Sequence, residues 1–264
     1  CGLMGIEGGT AIGNDLDNIN TFFDLGVRYI GLTWNNSNLI SSSARDAVEK
    51  GKAGGLTDYG IQVIKRMNDT GMLIDVSHLS ENGFWDVIDN TTSPIIASHS
   101  NSYSINPHFR NLTDEQILAI ADNGGFIGVN FHDKFLDRNA DRNRTLNAYQ
   151  KYAAELDELN VKYGDDLIKY NKEREKFLAE NNISGGTTID KVIEHIDYIK
   201  NLAGIDHVGL GSDFDGGITP PNELYDASTY PLITKKLFEK GYSEDEIKKV
   251  LGGNFLRVFK KVCG

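Results

Sequence analysis

The sequence predicts one α/β domain on parallel strands: a TIM-type (β/α)8 barrel lacking its first two βα units. Three observations point there. Apolar, β-rich runs recur at residues 3–7, 27–33, 72–78, 94–99, 126–131 and 207–213. Helical patterns lie between them, and such alternation makes a parallel sheet with right-handed crossovers. Four of the runs end in chemically capable side chains, Glu7, His78, His99 and Asp213. In a barrel, the carboxyl ends of the strands form the face where chemistry happens.

The elements follow in order. The run Leu3-Met-Gly-Ile-Glu7 opens the chain, with Cys1 leading directly into it. Residues 16–25 carry Leu16, Ile19, Phe22 and Phe23 at helical spacing, with Asn14 or Asp15 as cap. After the second run, residues 57–70 repeat the pattern through Ile61, Ile64 and Met67, and Gly71 closes it. A short helix over 81–89 separates the His78 and His99 runs. Thr113 and Gln116 make a capping box for a helix over 113–121. Residues 133–185, rich in Lys, Glu, Asp and Asn, read as a charged helical excursion, a solvated hairpin rather than barrel. Without it, about 210 residues serve six units, two short of the eight a barrel needs. The tail returns to helices over 233–239, 244–251 with Ser243 as cap, and 254–262. No linker divides the chain, so residues 1–264 read as a single domain.

Composition narrows the function. Hydrophobic residues at 39% and charged residues at 25% suit a globular core. A net charge of −11 argues against nucleic acid and anionic membranes as partners. There is no apolar run of 18 or more residues to span a bilayer. Two cysteines, Cys1 and Cys263, form no disulfide framework, and a cytoplasmic setting is expected. Walker loops, Gly-x-Ser-x-Gly elbows and Cys-x-x-Cys sites are absent.

What remains is metal chemistry. One βα crossover brings His78 and His99 to neighbouring strand ends, and neutral imidazole suits zinc. Asp75 and Ser98 stand nearby as orienting partners. Glu7 precedes Gly8-Gly9; an unpaired carboxylate at an apolar strand end costs several kcal/mol, so it needs a metal or an arginine such as Arg28. Asp213, in Gly-Ser-Asp-Phe-Asp-Gly-Gly, suits a proton-shuttling carboxylate beside an activated water. Arg110 lies in the loop after His99, where a guanidinium can fork onto a substrate carboxylate. Asn130, at the end of the fifth run, counts with Arg110 as a substrate contact. His132 and His108 are weaker pocket candidates. His195 reads as packing on the barrel exterior, and His207 opens a strand.

The segments Ile6-Glu-Gly-Gly9, Leu73-Ile-Asp-Val-Ser-His78, Ser98-His99-Ser100, Arg110-Asn111 and Gly211-Ser-Asp-Phe-Asp-Gly216 occur in an order and spacing that resemble the membrane (renal) dipeptidase family. These are zinc dipeptidases of the amidohydrolase superfamily, built on an α/β barrel. The resemblance covers nearly the whole chain apart from the excursion. It implies that Glu7 bridges two zinc ions and that His78 and His99 complete the second. It implies Asp213 as acid/base and Arg110 as holder of the substrate's C-terminal carboxylate. The implied reaction is hydrolysis of a dipeptide by a metal-activated water.

Two departures stand out. The family's opening His-x-Asp pair has no counterpart before Glu7, so one zinc through Glu7, His78 and His99 is expected, with impaired activity of this chain alone. Trp34 replaces a histidine that contacts the substrate carbonyl in the animal enzymes, and indole donates one hydrogen bond without accepting a proton. Competing readings are another amidohydrolase-type amide hydrolase and a non-catalytic barrel remnant. A homodimer through the barrel loops or the excursion is also expected.

Overall fold

The computed structural model describes residues 2–140, 150–181 and 187–264. Cys1, and the parts of the excursion at 141–149 and 182–186, lie outside the described residues. The strands are β1 (Met4–Glu7), β2 (Val27–Gly31), β3 (Leu73–Asp75), β4 (Ile96–Ala97), β5 (Phe126–Val129) and β6 (Val208–Leu210). They form one sheet in the order β1-β2-β3-β4-β5-β6, every neighbouring pair parallel.

That sheet curls. In a flat sheet, strands spaced ~4.8 Å apart would put β1 and β6 roughly 24 Å from each other. Yet Glu7 at the end of β1 and Leu210–Asp213 at the end of β6 line one cavity. Tyr29 of β2 points into the same interior, and its phenol is pushed above its ordinary pKa by burial and by the carboxylates of Asp75, Glu7 and Asp213. Glycine at position 5 makes this possible: a Cβ there would lie 1.9 Å from the Tyr29 ring.

Helices join and flank the strands. They are α1 (Asp17–Asp24), α2 (Ala44–Lys50), α3 (Asp58–Thr70), α4 (Glu81–Asn90), α5 (Asp114–Asp122), α6 (Asp133–Leu136), α7 (Ala153–Tyr163), α8 (Leu167–Glu180), α9 (Ile189–Ala203), α10 (Tyr230–Glu239), α11 (Glu244–Lys248) and α12 (Asn254–Cys263). Thr57 caps α3, with Gly71 left-handed at its end, and Thr113–Gln116 forms the expected capping box. Helix α9 is built from Ile and Val, which are mediocre helix formers by a few tenths of a kcal/mol each. Burying Ile189, Val192, Ile193, Ile196 and Ile199 is worth about 1.5–3 kcal/mol per side chain, so packing decides its conformation.

The amino ends of the strands are plugged. Leu73, Ile96 and Phe126, near the starts of β3, β4 and β5, pack on Val258 of α12, with Phe255 and Phe259 beside them. The carboxyl ends are left for the site.

Several expectations need correction. The strands are shorter than the apolar runs, so His78, His99 and Asp213 sit two or three residues beyond strand ends rather than on them; only Glu7 ends its strand. Helix α1 begins after Leu16 without a side-chain cap, although Asp15 Oδ1 accepts from the Asp17 N–H at 3.0 Å. Helix α2, capped by Ser43, was not foreseen. The last two helices are joined by a π-helical turn, Lys249–Gly253, with Gly252 at φ 156°. Within the excursion, α7 buries none of its residues.

Candidate metal and substrate site

Three donor atoms converge above the sheet. Glu7 Oε1 lies 3.0 Å from His78 Nε2 and 3.3 Å from His99 Nε2, and the two imidazole nitrogens are 2.9 Å apart. Tetrahedral ligands of one zinc ion stand about 3.3 Å from each other, so the set fits a single cation with slight expansion. Among the described residues, this is the one group of three His, Cys, Asp or Glu side chains with that convergence. The two imidazoles beside it hold the Glu7 carboxyl far below the ordinary carboxylate range. Burial, reinforced by the Arg110 charge, pushes His78 down to about 4, so its imidazole is neutral at physiological pH. Neutral imidazole and ionised carboxylate are the forms that bind metals.

Asp75 orients His99 through Ser98. Asp75 Oδ1 accepts from the Ser77 N–H at 3.0 Å and the Ser98 N–H at 2.9 Å. The Ser98 hydroxyl donates to Asp75 Oδ2 at 2.6 Å. Having spent its proton there, Ser98 Oγ can only accept from His99 Nδ1, 2.7 Å away. The His99 proton is thereby fixed on Nδ1 and the Nε2 lone pair faces Glu7 and His78. His78 has no such support: its Nδ1 is buried without a partner.

Backbone strain marks two of these positions. Among the described residues, His78 (φ 69°) and Asp213 (φ 63°) are the non-glycine residues in the left-handed region. Such conformations cost of order 1 kcal/mol or more and persist where surrounding structure holds them. For His78 the clamp is its own carbonyl, which accepts from the Ala44 N–H at 2.8 Å and Thr33 Oγ1 at 3.0 Å. For Asp213 it is the turn closed by the Gly216 N–H on its carbonyl at 3.0 Å. A Cβ on Gly216 would lie 2.1 Å from Asp213 Oδ1, so a larger residue there would displace the Asp213 carboxylate.

Behind Asp213 sits Asn130, fully buried. Its Nδ2 donates to Asp213 Oδ2 at 3.1 Å, and its Oδ1 accepts from the His132 N–H at 2.6 Å. Asn101 pins the Asn130 backbone on both sides, at 2.8 and 3.0 Å. Both ends of the Asn130 amide are therefore engaged inside the protein.

Glu7, His78, Asp213, Trp34 and Arg110 line one cavity of about 400 Å³. Arg110 is 5% exposed, and its Nε and Nη2 have no hydrogen-bond partner. Burial lowers its pKa to about 10, which still leaves it charged. A buried guanidinium with unmet donors is expensive unless an anion completes it. Trp34, half exposed, stands at the mouth with its ring 6.4 Å from that of His78.

The structure thus brings Glu7, His78, His99, Asp213, Arg110 and Trp34 together, and places Asn130 one layer behind. Arg28 is not the partner of Glu7; its guanidinium donates to the Phe23 and Val27 carbonyls. His108 and His132 both line the cavity. His195 is fully buried and ties Ser102 N to the Leu136 carbonyl, a structural pin. His207 bonds the Gly125 carbonyl. Sequence reasoning missed Tyr29 and the Asn101–Asn130 pairing. The alternation of β2 was a signal for Tyr29; nothing local announces Asn101.

Comparison with known proteins agrees with the geometry. A profile of the membrane dipeptidase family, peptidase family M19, matches residues 2–263. An uncharacterized Klebsiella pneumoniae protein from the pqqA 5′ region is 36% identical over 259 residues, 97% of this chain and 80% of its own length. An uncharacterized dipeptidase of Schizosaccharomyces pombe is 33% identical over 98% of this chain and 52% of its own. Among solved structures, a Rhodobacter sphaeroides metallopeptidase liganded with a phosphinate mimic of L-Ala-D-Ala superposes with a TM-score of 0.76 at 27% identity. The match covers 99% of this chain and 63% of that one. The probable dipeptidase PvdM of Pseudomonas aeruginosa gives 0.77 at 27% identity, covering 98% and 68%. The chain thus spans between about half and four-fifths of the length of these relatives. No helix among the described residues is long and apolar enough to cross a membrane.

Proposed function

The chain belongs to the membrane dipeptidase family, and from that premise we propose that it is a zinc-dependent dipeptidase. The observation that carries this reading is one cavity lined by Glu7 and His78 of the converged Glu7–His78–His99 donor set and by the buried Arg110 guanidinium, whose Nε and Nη2 have no partner. A donor set alone would serve any metal site. A buried cation across from it calls for a substrate with its own carboxylate, which a dipeptide has.

Glu7, His78 and His99 would hold the zinc ion. When bound, it supplies Lewis-acid polarisation of the scissile carbonyl and acidifies water. Arg110 binds the C-terminal carboxylate and so fixes which peptide bond is presented. Asp213, kept in place by Asn130 and by its turn, moves the proton: it accepts one from the attacking water and delivers one to the leaving amine. Asn130 acts through Asp213 rather than on the substrate. Trp34 at the mouth offers an indole N–H as a donor to the substrate. The sequential parallel order and the curl of the sheet support the barrel reading of the fold.

The test is release of amino acids from L-Ala-L-Ala and L-Ala-D-Ala by the zinc-loaded chain, with binding of a phosphinate dipeptide mimic measured in parallel. We expect zinc-dependent binding or cleavage that is lost in Arg110→Met. A folded, zinc-loaded protein that neither cleaves a dipeptide nor binds the mimic would overturn the proposal.

A further inference from the structure

The walls of the 400 Å³ cavity are charged unevenly. Glu7 and Asp213 lie on one side. The other, built from the turn at 108–110 and helix α6, carries His108, Arg110, His132 and Lys134. Three of them surround one aromatic ring: Phe135 lies 4.7 Å from His108, 4.7 Å from His132 and 5.6 Å from Arg110 Cζ. In a chain of net charge −11, two cations on one wall, Arg110 and Lys134, run against the background. The wall's positive potential is felt locally, since burial and then Arg110, His132 and Lys134 together push His108 down to about 4.

Of the cations here, Arg45 is already paired, with Nε 3.0 Å from both Glu49 oxygens. Arg110 is left for the substrate's α-carboxylate. Lys134 is left for nothing: among the described residues no carboxylate pairs with its ammonium. Its backbone is nevertheless firmly placed, with the N–H on Asp133 Oδ1 and the carbonyl accepting from Asn106 Nδ2, both at 2.7 Å. A pinned lysine, next in sequence to the ring over which Arg110 lies, shares one cavity with the guanidinium assigned to the substrate's α-carboxylate.

We propose that this wall selects dipeptides whose C-terminal residue carries a second carboxylate, aspartate or glutamate, and that Lys134 reads it. The inference rests on the dipeptidase reading of the same site. Because Lys134 is partly exposed, its contribution is screened, and about tenfold discrimination is expected rather than the thousandfold of a dry ion pair.

The experiment compares Ala-Asp and Ala-Glu with the isosteric Ala-Asn and Ala-Gln. KM is measured on the zinc-loaded chain, and Kd by calorimetry on the chain stripped of metal, where nothing turns over. We expect the acidic member of each pair to be favoured about tenfold in KM and Kd, with kcat little changed. Lys134→Met should bring the ratio near one, Lys134→Arg should restore it, and raising the ionic strength should narrow it. Neutral and acidic dipeptides handled alike, or a preference that survives Lys134→Met, would overturn the inference while leaving the dipeptidase reading standing. If no dipeptide binds or is cleaved, neutral ones included, both fall together.

Discussion

Replacing Ser98 with alanine removes a single hydroxyl and interrogates the whole support of His99. The hydroxyl sits between Asp75 Oδ2 at 2.6 Å and His99 Nδ1 at 2.7 Å. Without it, Asp75 keeps its two backbone donors, Ser77 N and Ser98 N, so the segments leaving β3 and β4 stay tied together. The folded state loses one charge-assisted hydrogen bond, about 1.5–3 kcal/mol. The effect on metal is separate. His99 Nδ1 is no longer obliged to carry the proton, and the tautomer with Nε2 protonated, which cannot bind zinc, becomes accessible. Loss of such an orienting partner typically weakens metal affinity 10- to 100-fold, about 1.4–2.7 kcal/mol. Competition for zinc against a chromophoric chelator, on wild type, Ser98→Ala and Ser98→Thr, reads this directly. Threonine keeps the hydroxyl and should hold affinity near wild type. If Ser98→Ala binds zinc as tightly as wild type, the Asp75–Ser98–His99 relay does not set the tautomer and the reasoning fails.

Three further outcomes follow from the same geometry. Arg110→Met should raise KM for dipeptides about 100-fold, the worth of a buried charged hydrogen-bonding pair, yet leave thermal stability unchanged or higher, because a buried cation with unmet donors is gone. Asn130→Asp sets a second carboxylate about where the amide donates to Asp213; two like charges cannot both ionise there, so the acidic limb of the kcat profile should move up by about one pH unit or more. Stability itself should fall with acid. His78, His108 and His195 are each held near 4 against an ordinary 6.5, chiefly by burial. Between those values the unfolded chain binds protons that the folded chain refuses, so stability is intact above about pH 6.5 and lost as pH drops toward 4. Calorimetric melting across that window should show net proton uptake on unfolding, and a flat profile would mean these rings are solvated.

The periodicity of the chain made much of this architecture legible. Six apolar runs became six parallel strands, and Gly71, Thr113 and Ser243 took the capping roles their types suggest. Glu7, His78 and His99 were readable because a titratable side chain at the end of a buried run has few bland explanations. What stayed hidden was long-range. Strand lengths are set by pairing, which is why the runs overestimated them. The left-handed backbone at His78 is held by hydrogen bonds from Thr33 and Ala44, more than 30 positions away, which no local pattern announces. Asn130 looked like a pocket residue because it follows a strand; Asn101, 29 positions away, turns it inward as the support of Asp213. Helix α2 escaped notice because its short pattern, Ala44–Lys50, is shared by many loops.

The central claim is that Glu7, His78 and His99 hold a metal ion together, and zinc analysis tests it most directly. Elemental analysis and zinc-edge X-ray absorption of the folded chain, dialysed against zinc, should give at least one zinc ion per chain with imidazole scattering from two histidines. That signal should disappear in the His78→Ala/His99→Ala double variant. A folded chain that retains no zinc, or one that keeps the same zinc after both histidines are gone, would contradict the claim.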